Sequence, residues 1–424
     1  MRLVIGDALH SLLDLGTGGL RLDANGFLGV EKAAEERPAW SEGHPLSEAA
    51  NQMIGGMVRK VGGFTFQELN LTIDDIKATA EAGADLSYDF ITRPAYHHAL
   101  VTGDTEFLRL TLKLAMDTGV EQASLVHALQ NHDELTYELV HFATRHKDEI
   151  FEFEGRERTG SGLAEEIRET LRTGLTGPAG PYNRIFTTNG IACTTASVIT
   201  AVLGFTDLAS LTEEQIEQVR SVHLLLVMYN ALQPGVFALS GWDLCGMITL
   251  EEEQVQALVA NGDTRWIHRG AHDLMGANPA AQVSPSGMPR AQSLYGTLPE
   301  QLADENSFAR RLADILTVRD TCGIATSALL DVPDVSHRGL LVMVHELSSR
   351  RLQITVLNFS AQDIAGTVNS AHLACGAQVK DAFSGQTIGD IDNLHSFFLQ
   401  LPAYQGTALI VDSPADGTVI QPAQ

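Results

Sequence analysis

The alternation of short apolar runs with longer amphipathic stretches constrains the fold of this chain more than any other feature of its sequence. Between residue 1 and about residue 250, stretches with helical spacing separate five short runs, which are candidate strands. The runs are Gly19–Ala24, Phe64–Leu69, Leu86–Ile91, Leu125–Leu129 and Val236–Ser240. Strands that alternate with helices are typical of βα units around a parallel sheet. The sequence therefore predicts an α/β fold for this part of the chain.

The spacing of apolar residues in the sequence changes after residue 318. Ser307–Val318 has the spacing of an amphipathic helix, and shorter runs that we interpret as alternating strands follow it. These runs are Gly339–His345, Leu352–Asn358, Thr407–Val411 and further residues near Val379 and Phe397. The pattern predicts a small antiparallel β domain. We place residues 1–333 in the α/β part and residues 334–424 in an antiparallel β-sandwich.

Two segments stand apart from this pattern of helices and strands. Phe151–Tyr182 is rich in Glu, Arg and Gly, whereas Gly262–Tyr295 is rich in Gly, Ala, Ser and Pro. Both compositions predict insertions or long loops beyond strand ends. Loops in this position carry the functional residues of α/β barrels.

The charge of the chain limits its partners. Its 424 residues include 28 Lys and Arg against 53 Asp and Glu, a formal net charge of −25. Such a field repels phosphate backbones and anionic lipids, so we expect no nucleic acid and no membrane among the partners. Polar residues and Pro234 interrupt the most apolar long stretch, Val222–Trp242, which is therefore not a membrane span.

The cysteines and the N-terminus predict a cytoplasmic location. The four cysteines lie far apart and form neither a redox motif nor a zinc motif; they are Cys193, Cys245, Cys322 and Cys375. Asp7 and His10 fall where an export signal would need an apolar core. We therefore expect a reducing compartment, no metal ligands and no cofactor.

Three acidic residues follow predicted strands. Asp23 lies one residue before the end of the first run, Glu68 lies one residue before the end of the second, and Asp133 follows the fourth. The carboxyl ends of barrel strands are the usual place for active sites, and glycoside chemistry needs two carboxyl groups across one bond. Arg21, two residues before Asp23, would lower the pKa of that carboxyl and keep it ionised.

Each of these residues alone also has a structural interpretation. A lone aspartate at a strand end is more often a helix cap or a loop carboxylate, and His132 alone would be a hydrogen-bonded structural histidine. Trp242, after the fifth run, could stack on a sugar ring or simply pack. The order of the motifs favours catalysis, because Asn131, His132 and Asp133 come two strands after the glutamate.

Taken together, four segments resemble conserved regions of the α-amylase superfamily, glycoside hydrolase family 13. They are LRLDANGF at 20–27, FTFQEL at 64–69, LQNHDEL at 129–135 and GVFALSGWDL at 235–244. The resemblance implies a (β/α)8 barrel in which Asp23 is the nucleophile, Arg21 its charged partner and Glu68 the acid/base. It also implies that Asn131, His132 and Asp133 bind sugar hydroxyls.

The residues between these segments have a narrower resemblance. From residue 1 to about residue 345, segments such as WSEGHPLS at 40–47 and YHHALVTGD at 96–104 resemble the Pseudomonas-type trehalose synthases, which are maltose α-D-glucosyltransferases. This resemblance implies an enzyme that interconverts maltose and trehalose by retaining, intramolecular transglucosylation. There are two alternatives. One is an α-glucosidase or α-amylase-type hydrolase, and the other is a non-catalytic fragment or subunit of a split enzyme.

The chain departs from the family at its start. Its match to the fourth barrel strand begins at about residue 19, which leaves no room for three earlier βα units, for the first conserved region or for domain B. We therefore expect an incomplete (β/α)8 TIM barrel, from the fourth strand onward, followed by the β domain. The resemblance allows calcium only in a full-length form, because its usual region is missing here. An incomplete barrel has open sheet edges, which a second copy or a separate N-terminal half-barrel would cover.

Overall fold

The computed structural model describes residues 2–35, 39–40, 44–81, 85–348 and 351–412. The strands in them are β1 (Gly19–Leu22), β2 (Phe64–Gln67), β3 (Leu86–Tyr88), β4 (Leu125–Ala128), β5 (Leu135–Thr136), β6 (Ile150–Phe153), β7 (Arg156–Thr159), β8 (Arg184–Ile185), β9 (Gly190–Ala192), β10 (Val236–Ala238), β11 (Ala328–Asp331), β12 (Leu340–Glu346), β13 (Leu352–Asn358), β14 (Ile364–Asn369), β15 (Gln378–Asp381), β16 (Thr387–Asp390), β17 (Ser396–Leu401) and β18 (Gly406–Val411).

The helices of the same residues lie mainly before β11. They are α1 (Arg2–Leu15), α2 (Pro45–Lys60), α3 (Ile73–Glu81), α4 (Arg93–Thr102), α5 (Glu106–Thr118), α6 (Val140–Ala143), α7 (Gly160–Leu175), α8 (Thr195–Val202), α9 (Glu213–Ala231), α10 (Gly241–Cys245), α11 (Gln256–Val259), α12 (Leu298–Ala303) and α13 (Phe308–Cys322). Several end on a glycine in the left-handed conformation, such as Gly103 after α4 and Gly323 after α13.

Five parallel strands form the central sheet, in the order β1-β2-β3-β4-β10. Each begins at the residue predicted from the sequence and ends one to three residues before the predicted end. Helices connect successive strands, so the predicted α/β fold of an incomplete barrel is confirmed.

Two strands of this sheet have open edges. In the part of the chain that the structure describes, β1 pairs only with β2, and β10 pairs only with β4. A closed barrel would join these two edges through further strands. The sheet therefore has the strand order of a barrel without its closure.

A large insertion separates β4 from β10. Residues 151–182 contain β7, α7 and most of β6, so they are an insertion with regular structure and not a loop. The hairpin β6–β7 and helix α7 pack through Phe151, Phe153 and Leu163 onto the main core. Residues 262–295 are mostly irregular, with one short 3-10 helix, Thr264–His268.

The C-terminal strands form two antiparallel sheets. Six strands have the order β11-β12-β13-β18-β15-β16, and β14 pairs with β17. Residues of both sheets, including Val342, Ile354 and Phe397, enclose one apolar core. The division at residue 334 stays a prediction. The end of the expected β domain, 413–424, lies outside the described residues.

The two parts of the molecule share a continuous core. Along β12, Leu340 and Val342 belong to the core of the β domain, whereas Leu341 and Met343 belong to the main core, which also contains residues of α9 such as Leu225. A strand buried on both faces needs an unbroken apolar run, which explains why LLVMV shows no alternation. None of the described helices combines the length and apolar character needed to cross a membrane.

Candidate active site

Asp23 and Glu68 lie side by side at the carboxyl edge of the central sheet. Leu22 on β1 pairs with Gln67 on β2, and the backbone N–H of Glu68 donates to the carbonyl oxygen of Leu22 at 3.2 Å. Asp23 and Glu68 are the residues that directly follow this pair, each at the carboxyl end of its strand. Parallel strands lie about 4.8 Å apart, so this register brings the two carboxyl groups together.

Arg21 links the two carboxylates. Residues two apart on a strand share a face, so Arg21 and Asp23 point to the same side of β1. The guanidinium Nη1 donates to Oδ1 of Asp23 at 2.7 Å, and Nη2 donates to Oε2 of Glu68 at 2.7 Å. One planar group with two donors thus fixes the relative position of both carboxyl groups.

The surroundings shift the pKa values of the two carboxyl groups in opposite directions. The hydrogen bond from Arg21 lowers the pKa of Asp23, and a hydrogen bond shared with Glu68 acts in the same direction. Burial raises the pKa of Glu68, and the neighbouring Asp23 and Asp133 raise it further, against the attraction of Arg21. Asp23 therefore loses its proton more readily than a free aspartate and Glu68 less readily than a free glutamate, which is the direction that a nucleophile and an acid require.

A buried polar network holds the strand ends beneath these carboxyl groups. The Asn25 amide donates to Oδ1 of Asn51 at 2.9 Å and to Oε1 of Gln67 at 2.8 Å. The Gln67 amide in turn donates to Oγ of Ser87 at 2.7 Å. Ala24 turns the chain between Asp23 and Asn25 with a φ of 46°, in the left-handed region that residues other than glycine rarely adopt. The network therefore fixes the ends of β1, β2 and β3.

Asp133 approaches the pair from the segment after β4. Its charge acts on Glu68, and the charge of His132 acts on Asp23. Nε2 of His132 lies 3.2 Å from Oδ2 of Asp133. Asn131 is buried, and its Oδ1 accepts from the backbone N–H of Asp133 at 3.1 Å, so this side chain positions the aspartate. The structure thus brings Asp23, Glu68 and Asp133 to one edge of the sheet.

Two arginines that the sequence did not point to hold Asp133. Nη1 of Arg265 lies 3.0 Å from Oδ1 of Asp133, and Nη2 of Arg269 lies 3.5 Å from the same oxygen. Nε of Arg269 also donates to the carbonyl oxygen of His132 at 3.0 Å. Both arginines come from residues 262–295. The only sequence feature that pointed to these two arginines was the prediction that this segment is a loop of the kind that carries functional residues.

Aromatic side chains form the wall beside Arg21. Tyr88, at the end of β3, has its ring 4.4 Å from that of Phe66 and 5.5 Å from that of Phe90. Burial raises the pKa of the Tyr88 hydroxyl, so it remains a neutral hydrogen-bonding group beside the guanidinium. The sequence placed Tyr88 in a strand and gave it no role.

Trp242 makes packing contacts. Its ring meets that of His268 edge-on at a centroid distance of 6.1 Å, and it packs against an apolar cluster that includes Met247 and Leu250. Nε2 of His268 lies 3.3 Å from the carbonyl oxygen of His132, so Trp242 supports the site through this histidine. A direct contact between Trp242 and a sugar stays a prediction.

The carboxylates open onto solvent. The Asp23 side chain is 74% exposed, whereas that of Glu68 is 20% exposed.

Among the described residues, one group of side chains that could hold a metal ion lies away from these carboxylates. It consists of Asp74, His141 and His146, so two of its three members are imidazoles. Calcium takes oxygen ligands, so these three residues do not fit the calcium ion that the family resemblance allows. The proposed reaction uses no calcium ion.

The fold of the chain is similar to the fold of α-amylase-type structures over part of their length. A structure of Eubacterium rectale Amy13B superposes with a TM-score of 0.59 and 13% identity, over 97% of this chain and 63% of that chain. The alpha-amylase from H. orenii gives 0.57 and 12%, over 97% and 64%. The trehalose-6-phosphate hydrolase of Bacillus licheniformis gives 0.58 and 13%, over 97% and 69%.

These comparisons establish the fold alone, because the identities are low. The chain spans under two-thirds of the length of the Amy13B and H. orenii structures. A scan against protein-family models and a search of curated proteins gave no match.

Proposed function

We propose that the chain carries the catalytic carboxylates of a retaining α-glucosyl-transferring enzyme that interconverts maltose and trehalose. The observation that carries this proposal is the Arg21 guanidinium, which donates to Asp23 and Glu68 at 2.7 Å each. The neighbours support the substrate class, because one is a trehalose-6-phosphate hydrolase and another, AmyP, was solved with maltose.

In the first step, Glu68 donates its proton to the glycosidic oxygen of maltose. The bond from that oxygen to the anomeric carbon breaks as the Asp23 carboxylate forms a bond to the same carbon. The products are a covalent glucosyl ester and free glucose. Arg21 keeps Asp23 ionised for this attack, and His132 and Asp133 bind hydroxyls of the sugar as positive charge develops.

In the second step, the released glucose turns within the site. Glu68 removes the proton from its anomeric hydroxyl, whose oxygen attacks the anomeric carbon of the ester. This displaces Asp23 and gives trehalose with overall retention. Water must be excluded, since it would otherwise hydrolyse the ester.

The exposure of Asp23 favours a second candidate, α-glucoside hydrolysis. With 74% of the Asp23 side chain accessible, water reaches the carbon that the ester would occupy. We therefore infer that transfer needs further residues that close the site. A separate half-barrel partner or a second copy, lying along the open edges of β1 and β10, would supply them.

The test is a maltose assay on the purified chain, with the products separated by chromatography and the mass measured by light scattering. We expect no measurable trehalose, trace release of glucose, and loss of that glucose in Asp23→Asn. Efficient trehalose formation by a monomer would contradict the open-site interpretation. Glucose release that Asp23→Asn leaves intact would contradict the proposed nucleophile.

A further inference from the structure

A group of metal-ligating side chains lies away from the carboxylates of the sheet edge. Asp74 is in the first turn of α3, His141 is in α6, and His146 follows α6. Their ligand atoms all lie within 4.8 Å of one another. Nε2 of His146 is 2.7 Å from Oδ2 of Asp74, and Nδ1 of His141 is 3.8 Å from the same oxygen.

The hydrogen bonding of this group is incomplete. Nδ1 of His141 is buried and has no hydrogen-bond partner among the described residues, and the His141 side chain is only 9% exposed. A buried, unpaired imidazole nitrogen costs free energy unless a partner satisfies it. The nitrogen is directed at a carboxylate oxygen that is too distant for a hydrogen bond but at a suitable distance for a shared ion.

His146 lies between two carboxylates. Its Nδ1 is 2.9 Å from Oε2 of Glu149, while its Nε2 faces Asp74. A neutral imidazole has one N–H, so it can donate to only one of these oxygens. The other contact needs either a second proton or a cation. A carboxylate that orients a histidine ligand from behind is the usual arrangement around protein-bound zinc.

The distances between the ligand atoms are compatible with a tetrahedral zinc site. Around tetrahedral zinc, with bonds of about 2.0–2.1 Å, ligand atoms lie about 3.3 Å apart. The observed separations from the Asp74 oxygen, 2.7 and 3.8 Å, fall on either side of this value. A cationic side chain, Arg145, is also near, and its Nη1 lies 3.7 Å from Oδ1 of Asp75, the residue after Asp74.

We propose that Asp74, His141 and His146 bind a divalent transition-metal ion, with zinc as the best match to two imidazoles and one carboxylate, and that Glu149 orients His146. Three protein ligands leave the fourth zinc position for water. The ion would join α3, which follows the loop that carries Glu68, to the segment from which hairpin β6–β7 begins. It would thereby tie the insertion to the central sheet.

Burial and hydrogen bonding shift the pKa values of the two histidines in opposite directions. Burial lowers the pKa of His141 to about 4, so this imidazole is neutral and its lone pair is available. Burial acts to lower the pKa of His146 as well, but its hydrogen bonds with Asp74 and Glu149 raise it.

The test uses the untagged full chain, stripped with a chelator and titrated with Zn²⁺ by calorimetry. We expect one ion per chain, and a rise in melting temperature with zinc. Asp74→Asn and His146→Gln should each remove this binding, and Glu149→Gln should weaken it by about tenfold to a hundredfold. His10→Gln, at an exposed position of α1, is the control and should bind zinc normally.

Folding and ion geometry are checked separately. Circular dichroism establishes that each variant is folded. Co²⁺ should give the intense visible absorption of a tetrahedral site in the parent chain and in His10→Gln, but not in Asp74→Asn or His146→Gln. The proposal is overturned if the folded parent shows no saturable zinc binding. It is also overturned if folded Asp74→Asn and His146→Gln bind as the parent does, because the group would then be an ion-pair cluster only.

Discussion

Arg21 is the residue on which the chemistry of the proposed site depends. Its two donors contact both carboxyl groups, so its removal takes from Asp23 the hydrogen bond that lowers its pKa and leaves both carboxyl groups free to move. We expect Arg21→Ala to lower the kcat of the complete enzyme by about a hundredfold or more. Arg21→Lys should lose less, because it keeps the charge without the planar fork.

Steady-state kinetics on maltose measures this effect. Arg172→Ala is a suitable control, because Arg172 pairs with Glu169 on the exposed face of α7. The control should have normal activity. Near-normal activity of Arg21→Ala would show that its hydrogen bonds serve only the structure.

The opposite pKa shifts predict the pH profile. The active form needs Asp23 ionised and Glu68 protonated. The pKa of Asp23 is lowered, so kcat/KM should fall on the acid side only below the ordinary value of about 3.9. The pKa of Glu68 is raised, so the alkaline fall should come above the ordinary value of about 4.3. An alkaline fall centred at or below that value would contradict the assignment of Glu68 as the acid.

Among single residues, the sequence predicted those that lie within a short motif at the end of a strand. Arg21, Asp23 and Glu68 could be predicted because each lies within a short strand motif. Arg265 and Arg269 could not, because they lie more than a hundred residues after Asp133 in an irregular segment. The network of Asn25 and Gln67 likewise depends on the sheet register, which the motifs do not encode.

At the scale of elements, the start of β10 depends on a glycine. Gly235 has a φ of +90°, and a Cβ there would lie 2.3 Å from the carbonyl oxygen of Leu125 and 2.8 Å from that of Gln122. Both atoms are backbone and cannot move aside. We expect Gly235→Ala to destabilise the fold by more than the roughly 1–2 kcal/mol of a left-handed alanine alone.

Thermal or denaturant unfolding measures this difference. Gly204→Ala is the matched control, because Gly204 has a φ of +76° but nothing within 4 Å of an added Cβ. It should show only the smaller, conformational cost. Equal losses in the two variants would mean that β10 shifts to accommodate the methyl group.

The starts of strands were predictable, and the packing of elements was less so. All five parallel strands begin at the predicted residues, because apolar runs set where a ladder can form. The strands that bury both faces were misread as alternating, since Leu341 and Met343 of β12 share the main core with residues of α9, a helix more than a hundred residues earlier. The helix α7 was hidden by the Glu, Arg and Gly content of its exposed face.

For the whole molecule, the open edges of the sheet predict association. Val236 lies on the edge strand β10 with an exposed side chain. A lysine on a sheet edge hinders pairing with another chain, so Val236→Lys should lower the mass seen by light scattering at a given concentration. Phe398→Lys, at an exposed position of β17 in the β domain, should leave it unchanged. A monomer at all concentrations, or an equal effect of both changes, would contradict association through the barrel edge.

The most direct test of the central claim is to trap the glucosyl ester on Asp23. An activated donor, 5-fluoro-α-D-glucosyl fluoride, needs no proton from the acid, so the Glu68→Gln variant should form the ester and release it slowly. Mass spectrometry of the digested protein should then find one fluoroglucosyl unit on the peptide that contains Asp23, and none in Asp23→Asn. A label on Glu68 or Asp133 of the parent chain, or no label on any carboxylate of the folded protein, would contradict the account.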